Sequence, residues 1–455
     1  MKKYDAIVIG SGCGMSIVDE CIEHGLKVAL IDKGPFGGTC LNSGCIPSKM
    51  LIYPADRIVE IQECGKLGIE AHITNVDFPS MMKRMRSSIK RTREHVREAI
   101  SSMDGLDFYA GEGHFVADYT IEVNGVKIKG DSIFLATGSR PLIPPIEGLN
   151  EIDYLTNETL LQLNEPPESL IIIGGGYIGV EYGHFFAAMG TKVTILEMMD
   201  SLVTIEEPEI RDLLRKKLSE RMKIRLGTQA EEVKQRGDRV AVKVKDIATG
   251  KQRSLSAQRL LVAVGRRSNA DLLMAERGGV ELDRRGFIKV NEYLETSSKN
   301  VYAIGDANGQ AMFTHAANRE ALIAAENFLH DSKLKMDYSA VPHAVYSHPQ
   351  IASVGLTEEQ ARKNHDILVA SVPYMGVAKG EAMLETEGFA KAIVDKDGNR
   401  ILGFHIIGPF APTLIQEIVN AMASGGHIEE INRGLHIHPA LSELVQYVVN
   451  SLESI

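Results

Sequence analysis

Apolar and polar positions along the chain fall into a cassette that occurs twice. Tyr4-Asp5-Ala6-Ile7-Val8-Ile9 is a short, nearly continuous apolar run, which predicts a strand buried on both faces. It enters Gly10-Ser11-Gly12-Cys13-Gly14-Met15, after which apolar positions recur at helical spacing. A second apolar run, Lys27-Val28-Ala29-Leu30-Ile31, ends in Asp32. The same order returns when Leu170-Ile171-Ile172-Ile173 enters Gly174-Gly175-Gly176-Tyr177-Ile178-Gly179. A helix begins around Val180-Glu181, and Val193-Thr194-Ile195-Leu196 ends in Glu197. Strand, glycine turn, helix, strand and acid in that order predict a βαβ dinucleotide unit.

Other segments read differently. Residues 51–101 read as helical, and about 107–130 as short strands with turns, as in Tyr119-Thr120-Ile121-Glu122-Val123-Asn124-Gly125. Ser132 to Pro141 closes the first unit, Pro144-Pro145 opens a linker, and Leu260 to Arg267 closes the second. Asn300-Val301-Tyr302-Ala303-Ile304-Gly305-Asp306 is a strand ending in Gly-Asp, either a plain turn or a carboxylate offered to the first cofactor. In the last hundred residues strand-like runs mix with helices, including an apolar one at 413–423. That predicts an α+β domain without a nucleotide fingerprint and suited to an interface.

The two turns differ in a way that bears on packing. In each, the first glycine (Gly10, Gly174) makes the tight turn and the second (Gly12, Gly176) lets the backbone approach a pyrophosphate at the helix N-terminus. Gly179 stands at the third position of the second fingerprint, whereas the first has Met15 there, with Gly14 placed to compensate. Asp32 and Glu197 are read as acceptors from ribose hydroxyls; the carboxylate of Glu197 repels a 2′-phosphate, which favours NAD over NADP.

Composition narrows the class. The 455 residues, 44% hydrophobic and 24% charged, describe an ordinary globular protein with room for two to four domains. A net charge of −10 argues against a nucleic-acid binder. No apolar run approaches a membrane span, and Met1 to Asp5 leads straight into a strand rather than a signal peptide, so a cytoplasmic protein is expected. All five cysteines (Cys13, Cys21, Cys40, Cys45, Cys64) fall within the first 64 residues, an odd and clustered set unlike a secreted disulfide framework. No cysteine or histidine spacing fits a zinc site.

Candidate chemistry centres on Gly37-Gly38-Thr39-Cys40-Leu41-Asn42-Ser43-Gly44-Cys45-Ile46-Pro47-Ser48-Lys49. Positions five apart rise about 7.5 Å in a regular helix, beyond bridging range, so a Cys40–Cys45 disulfide requires an irregular turn, which Asn42-Ser43-Gly44 can adopt. Pro47 suits a first helical turn and leaves Cys45 near a helix N-terminus, where a thiolate is favoured. Taken alone, the pair is as readily an inert structural bridge or two free thiols as a redox-active centre. Near the C-terminus, His436-Ile437-His438-Pro439-Ala440-Leu441-Ser442-Glu443 places Glu443 to orient His438 as a general base. Lys83, Arg84, Arg86, Lys90, Arg91, Arg93 and Arg97 make a basic stretch, read as a solvated helix face or as attraction for an anionic substrate or acidic partner.

Together GGTCLNSGCIPSK, ATGSRP, GGGYIGVE, VAVGRR, NVYAIGD and HPALSE resemble, in order and over essentially the whole chain, the flavoprotein disulfide reductases. That family includes dihydrolipoamide dehydrogenase, glutathione reductase, mycothione reductase and mercuric reductase. The resemblance implies an α/β fold of two Rossmann-like domains, for FAD and NAD, plus an α+β C-terminal dimerisation domain. The boundaries expected are 1–145 (FAD and the redox disulfide), 146–270 (NAD(P)), 271–340 (completing the FAD site) and 341–455 (dimerisation). It implies FAD held by Gly10, Gly12, Gly14, Asp32, Thr39, Thr137, Gly138 and Asp306, and NAD by Gly174, Gly176, Gly179, Glu197 and Gly265, with Tyr177 lining the nicotinamide pocket. Cys40 is then the interchange thiol, Cys45 the thiolate facing the flavin, and Lys49 and Glu181 an ion pair beside it. His438 and Glu443 match an acid–base pair that acts on the neighbouring subunit, so a homodimer is implied. Glu197, and the apolar run Met50-Leu51-Ile52-Tyr53-Pro54-Ala55 taken as a channel beside Cys40, favour dihydrolipoamide, free or on a separate lipoyl-bearing protein. A low-molecular-weight thiol disulfide, as for mycothione reductase, is the alternative substrate. The absence of a terminal cysteine pair disfavours mercuric reductase, and retention of both cysteines with His438-Glu443 disfavours an NADH oxidase.

Overall fold

The computed structural model describes residues 1–452. The chain forms two compact units, one from Met1–Ser48, Met82–Leu142 and Gly265–Tyr338, the other from Lys49–Met81, Ile143–Val264 and Ser339 onward. In the first unit, a parallel sheet runs in the order Leu106–Ala110, Val28–Asp32, Lys2–Ile9, Val126–Leu135, with Val301–Ala303 also pairing parallel to Val126–Leu135. Ala6, Ile7 and Val8 are fully buried, as the unbroken apolar run requires of a strand covered on both faces. Ile17, Val18 and Cys21 line the inner side of the helix Gly14–Glu23. Thr120–Val123 and Val126–Leu135 form the expected hairpin, with Asn124 and Gly125 both at positive φ in its two-residue loop.

The helical expectation for 51–101 is corrected. Two helices occupy it, Cys45–Glu63 and Phe78–Ser102, separated by a short 3-10 turn, Cys64–Leu67, and irregular chain. Gly68, at φ +76°, closes that turn in the left-handed region, where glycine carries no Cβ penalty. The helix Phe78–Ser102 is amphipathic: Met82, Met85, Ile89 and Ile100 are buried, while Lys83, Lys90, Arg91 and Arg97 are exposed. A solvated face accounts for those four cations; Arg93 is turned elsewhere.

The second unit holds a four-stranded parallel sheet, Lys223–Arg225, Lys192–Leu196, Ser169–Ile173 and Arg259–Val262, with the helix Tyr177–Ala188 following its central strand. A three-stranded antiparallel sheet, Thr228–Arg236, Arg239–Asp246 and Gln252–Ala257, adjoins it. The C-terminal part is a five-stranded antiparallel sheet, His343–Val345, Ile351–Gly355, Arg400–Ile407, Phe389–Asp395 and Ile367–Pro373. Its core joins Phe404 and Ile406 to Ile415 and Ile418 of the helix Ala411–Ala423 and to Val445 and Val448 of Glu443–Leu452. Among the described residues no helix is long and apolar enough to cross a membrane. The fold is thus α/β with two Rossmann-type sheets and an α+β C-terminal part.

Candidate active site

In the first unit the glycine turn is built as its sequence requires. A Cβ on Gly10, at φ +112°, would lie 2.2 Å from Ala136 O. A Cβ on Gly14 would meet Val8 Cγ1 at 2.9 Å, so this glycine, one position before Met15, permits the close approach of helix to strand. Asp32 accepts from Ser11 N and Gly34 N, both at 2.6 Å, which ties the strand-end carboxylate to the turn. Gly12 faces Gly38, whose Cβ would come within 2.8 Å of Gly12 Cα. Beside this slot the carbonyl of Gly138, at φ +64°, accepts from Asn269 N, and Thr137 Oγ1 is buried without a hydrogen-bond partner among the described residues. A bare glycine slot with an orphaned buried hydroxyl is what a dinucleotide fills, so FAD fits the residues present. Asp306 lies in the turn Gly305–Ala307, where its carboxylate accepts from Ser139 Oγ and stands 3.7 Å from Arg266 Nε. Gly265, at φ +120°, accepts from Leu142 N.

The cysteine segment breaks helical geometry at the expected place. Thr39 and Cys40 belong to a five-residue helix, Gly38–Asn42, that ends at Ser43; the next helix starts at Cys45. A Cβ on Gly44 would meet Thr39 O at 3.0 Å and Cys40 Cα at 3.3 Å, so glycine lets the chain fold back and bring Cys45 to Cys40. Both are thiols in this structure. A hydrogen bond to Cys45, and then burial, push the Cys40 thiol up, against a smaller opposing effect of the Thr314 hydroxyl. Cys40 therefore holds its proton, while Cys45 Sγ lies 3.5 Å from Thr314 Oγ1. Asn42 braces the loop: its Nδ2 donates to Phe36 O (2.8 Å) and Gly38 O (2.7 Å), and its Oδ1 accepts from Arg93 Nε at 2.5 Å.

The second unit carries the other named residues. Gly174, at φ +109°, would place a Cβ 2.3 Å from Ala263 O, and Gly179 would place one 2.1 Å from Gly174 O. Gly176, extended and open to solvent, caps the helix that Tyr177 begins. Glu197 accepts from Gly175 N at 2.6 Å and Met199 N at 2.8 Å, repeating the bonding of Asp32. Lys49 Nζ donates to both oxygens of the nearly buried Glu181, at 2.8 and 3.0 Å. Glu181 also accepts from Tyr346 N at 3.0 Å, and the Lys49 ammonium lies 4.4 Å from the centre of the Tyr346 ring. The Tyr177 ring stacks on His343, which bonds the buried carboxylate of Glu206 at 2.9 Å. Burial and Glu206 push the Tyr177 phenol up, so it stays neutral.

His438 and Glu443 are brought together as the spacing predicts, His438 Nδ1 lying 2.9 Å from Glu443 Oε1. Glu443 Oε2 accepts from Ala440 N at 2.9 Å; that N–H, with His438 second, holds the carboxyl below its usual range. With Nδ1 committed, Nε2 is the nitrogen left for a substrate proton, and the imidazole is 70% exposed. Leu435 and Ile437, on the same segment, are also exposed. Thr314, Tyr346, Arg93 and His343 were not legible as site neighbours, because each meets its partner across at least 51 residues of chain. The apolar run 50–55 is no channel: Leu51, Ile52 and Ala55 are buried, and Tyr53 is exposed.

Comparison with known proteins agrees with this geometry. Residues 4–321 match the pyridine nucleotide-disulphide oxidoreductase family, and 341–449 match its dimerisation domain. The chain is 37% identical to mycothione reductase of Mycobacterium tuberculosis over 98% of both chains. It is 35% identical to dihydrolipoyl dehydrogenase of Geobacillus stearothermophilus, over 97% of this chain and 94% of that one. Mercuric reductase of Staphylococcus aureus is 33% identical over 94% of this chain and 78% of its own. Among solved structures, the HOCl-induced flavoprotein disulfide reductase RclA from Escherichia coli superposes with a TM-score of 0.87 at 30% identity, over 98% of this chain and 99% of that one. Two glycine turns, a paired thiol loop and a histidine–glutamate pair, on a chain matched throughout, make this protein a member of the pyridine nucleotide-disulphide oxidoreductase family, the class I flavoprotein disulfide oxidoreductases.

Proposed function

We propose that the protein is an NAD-linked dithiol–disulfide oxidoreductase of the dihydrolipoyl dehydrogenase type, working through Cys40 and Cys45 as a homodimer. The observation that carries the redox reading is the asymmetric thiol pair: Gly44 closes the loop, and Cys40 keeps its proton while Cys45 stands at a helix N-terminus. When bound, FAD supplies two-electron exchange between the thiol pair and a nicotinamide. In the thiol half-reaction, Nε2 of His438 takes a proton from the dithiol substrate, and Glu443 holds the ring and offsets its charge. The substrate thiolate attacks Cys40 Sγ of the oxidised pair, breaking the Cys40–Cys45 bond and releasing Cys45 as thiolate. The second substrate thiol, deprotonated in turn, displaces Cys40, which leaves as thiol; the substrate is oxidised to a disulfide and the pair reduced. His438 is assigned to the neighbouring subunit's thiol pair.

Glu197 supports NAD, since a 2′-phosphate would meet its charge. Arg211, which donates to Ser201 Oγ at 2.9 Å, nevertheless gives that loop a guanidinium that linear inspection misses. The likeness to dihydrolipoyl dehydrogenase over nearly the whole chain supports the substrate; the buried apolar run 51–55 no longer does. A second reading, reduction of a low-molecular-weight thiol disulfide, is favoured by the 37% identity to mycothione reductase. Five cysteines, an odd and clustered set unlike a secreted disulfide framework, support a cytoplasmic location. A steady-state panel decides: dihydrolipoamide with NAD⁺ should exceed every soluble thiol disulfide in kcat/KM. Negligible dihydrolipoamide oxidation beside robust NAD(P)H-dependent reduction of a small disulfide selects the second reading.

A further inference from the structure

The helix Cys45–Glu63 begins with one redox cysteine and carries three ionisable groups at a strict seven-residue interval, Lys49, Asp56 and Glu63. Two turns of α-helix return to the same face within about 20°, so the three form one stripe. Each has a charged or imidazole partner within the second unit. Lys49 bonds Glu181. Asp56 Oδ1 lies 2.9 Å from Nε2 of His184, which is fully buried and three residues past Glu181 on the helix Tyr177–Ala188. Glu63 Oε2 lies 3.4 Å from His348 Nε2, and that imidazole holds the Glu63 carboxyl down at about 2.

Arg221 joins the last two pairs. Its Nη1 lies 2.9 Å from His184 Nδ1, and its Nη2 donates to His348 O. Arginine can only donate, so His184 Nδ1 is the acceptor and its proton sits on Nε2, directed at Asp56. Burial pushes His184 down from its ordinary value, in keeping with a neutral ring beside a guanidinium. The His184 and His348 rings lie nearly parallel, 6.3 Å apart. A buried neutral imidazole thus bonds a carboxylate on the cysteine-bearing helix and the guanidinium of Arg221, just before the strand Lys223–Arg225.

We infer that Asp56, His184 and Arg221 are positioning residues for the Lys49–Glu181 pair, clamping the helix that starts at Cys45 to the helix that starts at Tyr177. Lys49 stands one turn after Cys45 on the same helix face, so where its ammonium is held influences the Cys45 thiolate. Loosening the clamp alters the thiol pair without touching any reacting atom. This inference rests on the redox reading of Cys40 and Cys45.

The test is the equilibrium of the FAD-loaded protein with dithiothreitol redox buffers, read by alkylation of Cys40 and Cys45 and accompanied by thermal melting. His184→Leu should shift the exchange constant about tenfold. His184→Gln, whose amide nitrogen can serve Asp56 and whose oxygen can serve Arg221, should stay within about twofold of the parent. Combined with Glu181→Gln, the Leu change should be non-additive, since both act on Lys49. If His184→Leu does not fold, Asp56→Ala is read in its place with the same expectation. A folded variant with an unshifted exchange constant, or shifts that simply add, overturns the inference even if the melting temperature falls. A parent protein whose two cysteines form no disulfide in any buffer overturns the redox reading itself, a separate result.

Discussion

The two glycine turns solve one problem with different atoms. Both first glycines, Gly10 and Gly174, sit near φ +110° with a backbone carbonyl where a Cβ would be, and both strand-end acids accept from two backbone N–H groups. They part at the third position. In the turn at 174, Gly179 faces the carbonyl of Gly174 itself, so the helix packs against backbone. In the turn at 10, Gly14 faces two aliphatic side chains, Val8 and Ala136, and Met15 takes the position that glycine holds in the other. A fingerprint is therefore a requirement for space at a helix–strand contact, and a register shift of one residue can meet it.

The largest effect should come from filling the shared feature. Gly10→Ala sets a Cβ against a backbone carbonyl that cannot move, at a φ that costs alanine about 1–3 kcal/mol before any clash. The purified protein should lack flavin absorbance. Gly174→Ala should retain flavin and its reduction by dithiol, but lose reduction by NADH. Full flavin in Gly10→Ala would mean that this turn holds no dinucleotide.

Separating the two turns from the chemistry that neither performs gives the next effect. His438→Gln should slow the thiol half-reaction by about 10²–10⁴-fold and leave reduction by NADH within a few-fold, as stopped flow would resolve. Equal losses in both would remove His438 from the thiol chemistry.

These variants can be named because the sequence is informative where contacts are local. The five-residue cysteine spacing and the His438-Glu443 interval meet their partners within about one element of chain, and each glycine turn meets its strand-end acid within one βαβ unit. Spacing carries that much of the geometry, whereas the carbonyls of Ala136 and Ala263 that hold Gly10 and Gly174 lie far along the chain. Lys49 and Glu181, 132 residues apart, were placed only through family resemblance. Thr314, Tyr346 and His184 were not placed at all, since nothing local marks a residue whose partner lies more than a hundred positions away. Two readings failed for a common reason, the ambiguity of apolar periodicity. The run 50–55 is core rather than channel, and the pattern 51–101 crosses a break that Gly65 and Gly68 make possible.

A smaller effect should distinguish the two acids. Glu197→Gln keeps one acceptor for the turn but removes the charge; a charged hydrogen bond is worth about 1.5–3 kcal/mol, so kcat/KM for NADH should fall roughly tenfold or more. The ratio of NADPH to NADH efficiency should rise, helped by Arg211. Asp32→Asn should weaken FAD without changing coenzyme preference. A parent enzyme that already prefers NADPH would show that Arg211, not Glu197, governs the loop.

The mildest variants address the third position directly. Gly14→Ala brings a Cβ to 2.9 Å from Val8 Cγ1 and 3.1 Å from Ala136 Cβ. Both are side-chain atoms, and Val8 can give a few tenths of an ångström, so the cost should be the ordinary one of overpacking, about 1–3 kcal/mol. FAD affinity, titrated by flavin fluorescence on apoprotein, should drop roughly tenfold. Gly179→Ala, blocked by a backbone carbonyl at 2.1 Å, should damage coenzyme binding more severely. Met15→Gly restores the conventional fingerprint on paper, yet Met15 packs against the core that Val8, Ile17 and Val18 share. Losing that contact and adding glycine to a helix costs about 1 kcal/mol or more, with no space gained where the strand lies. Met15→Gly should therefore bind FAD no more tightly than the parent. Tighter binding would show that Met15 obstructs the turn and that Gly14 does not replace the missing glycine.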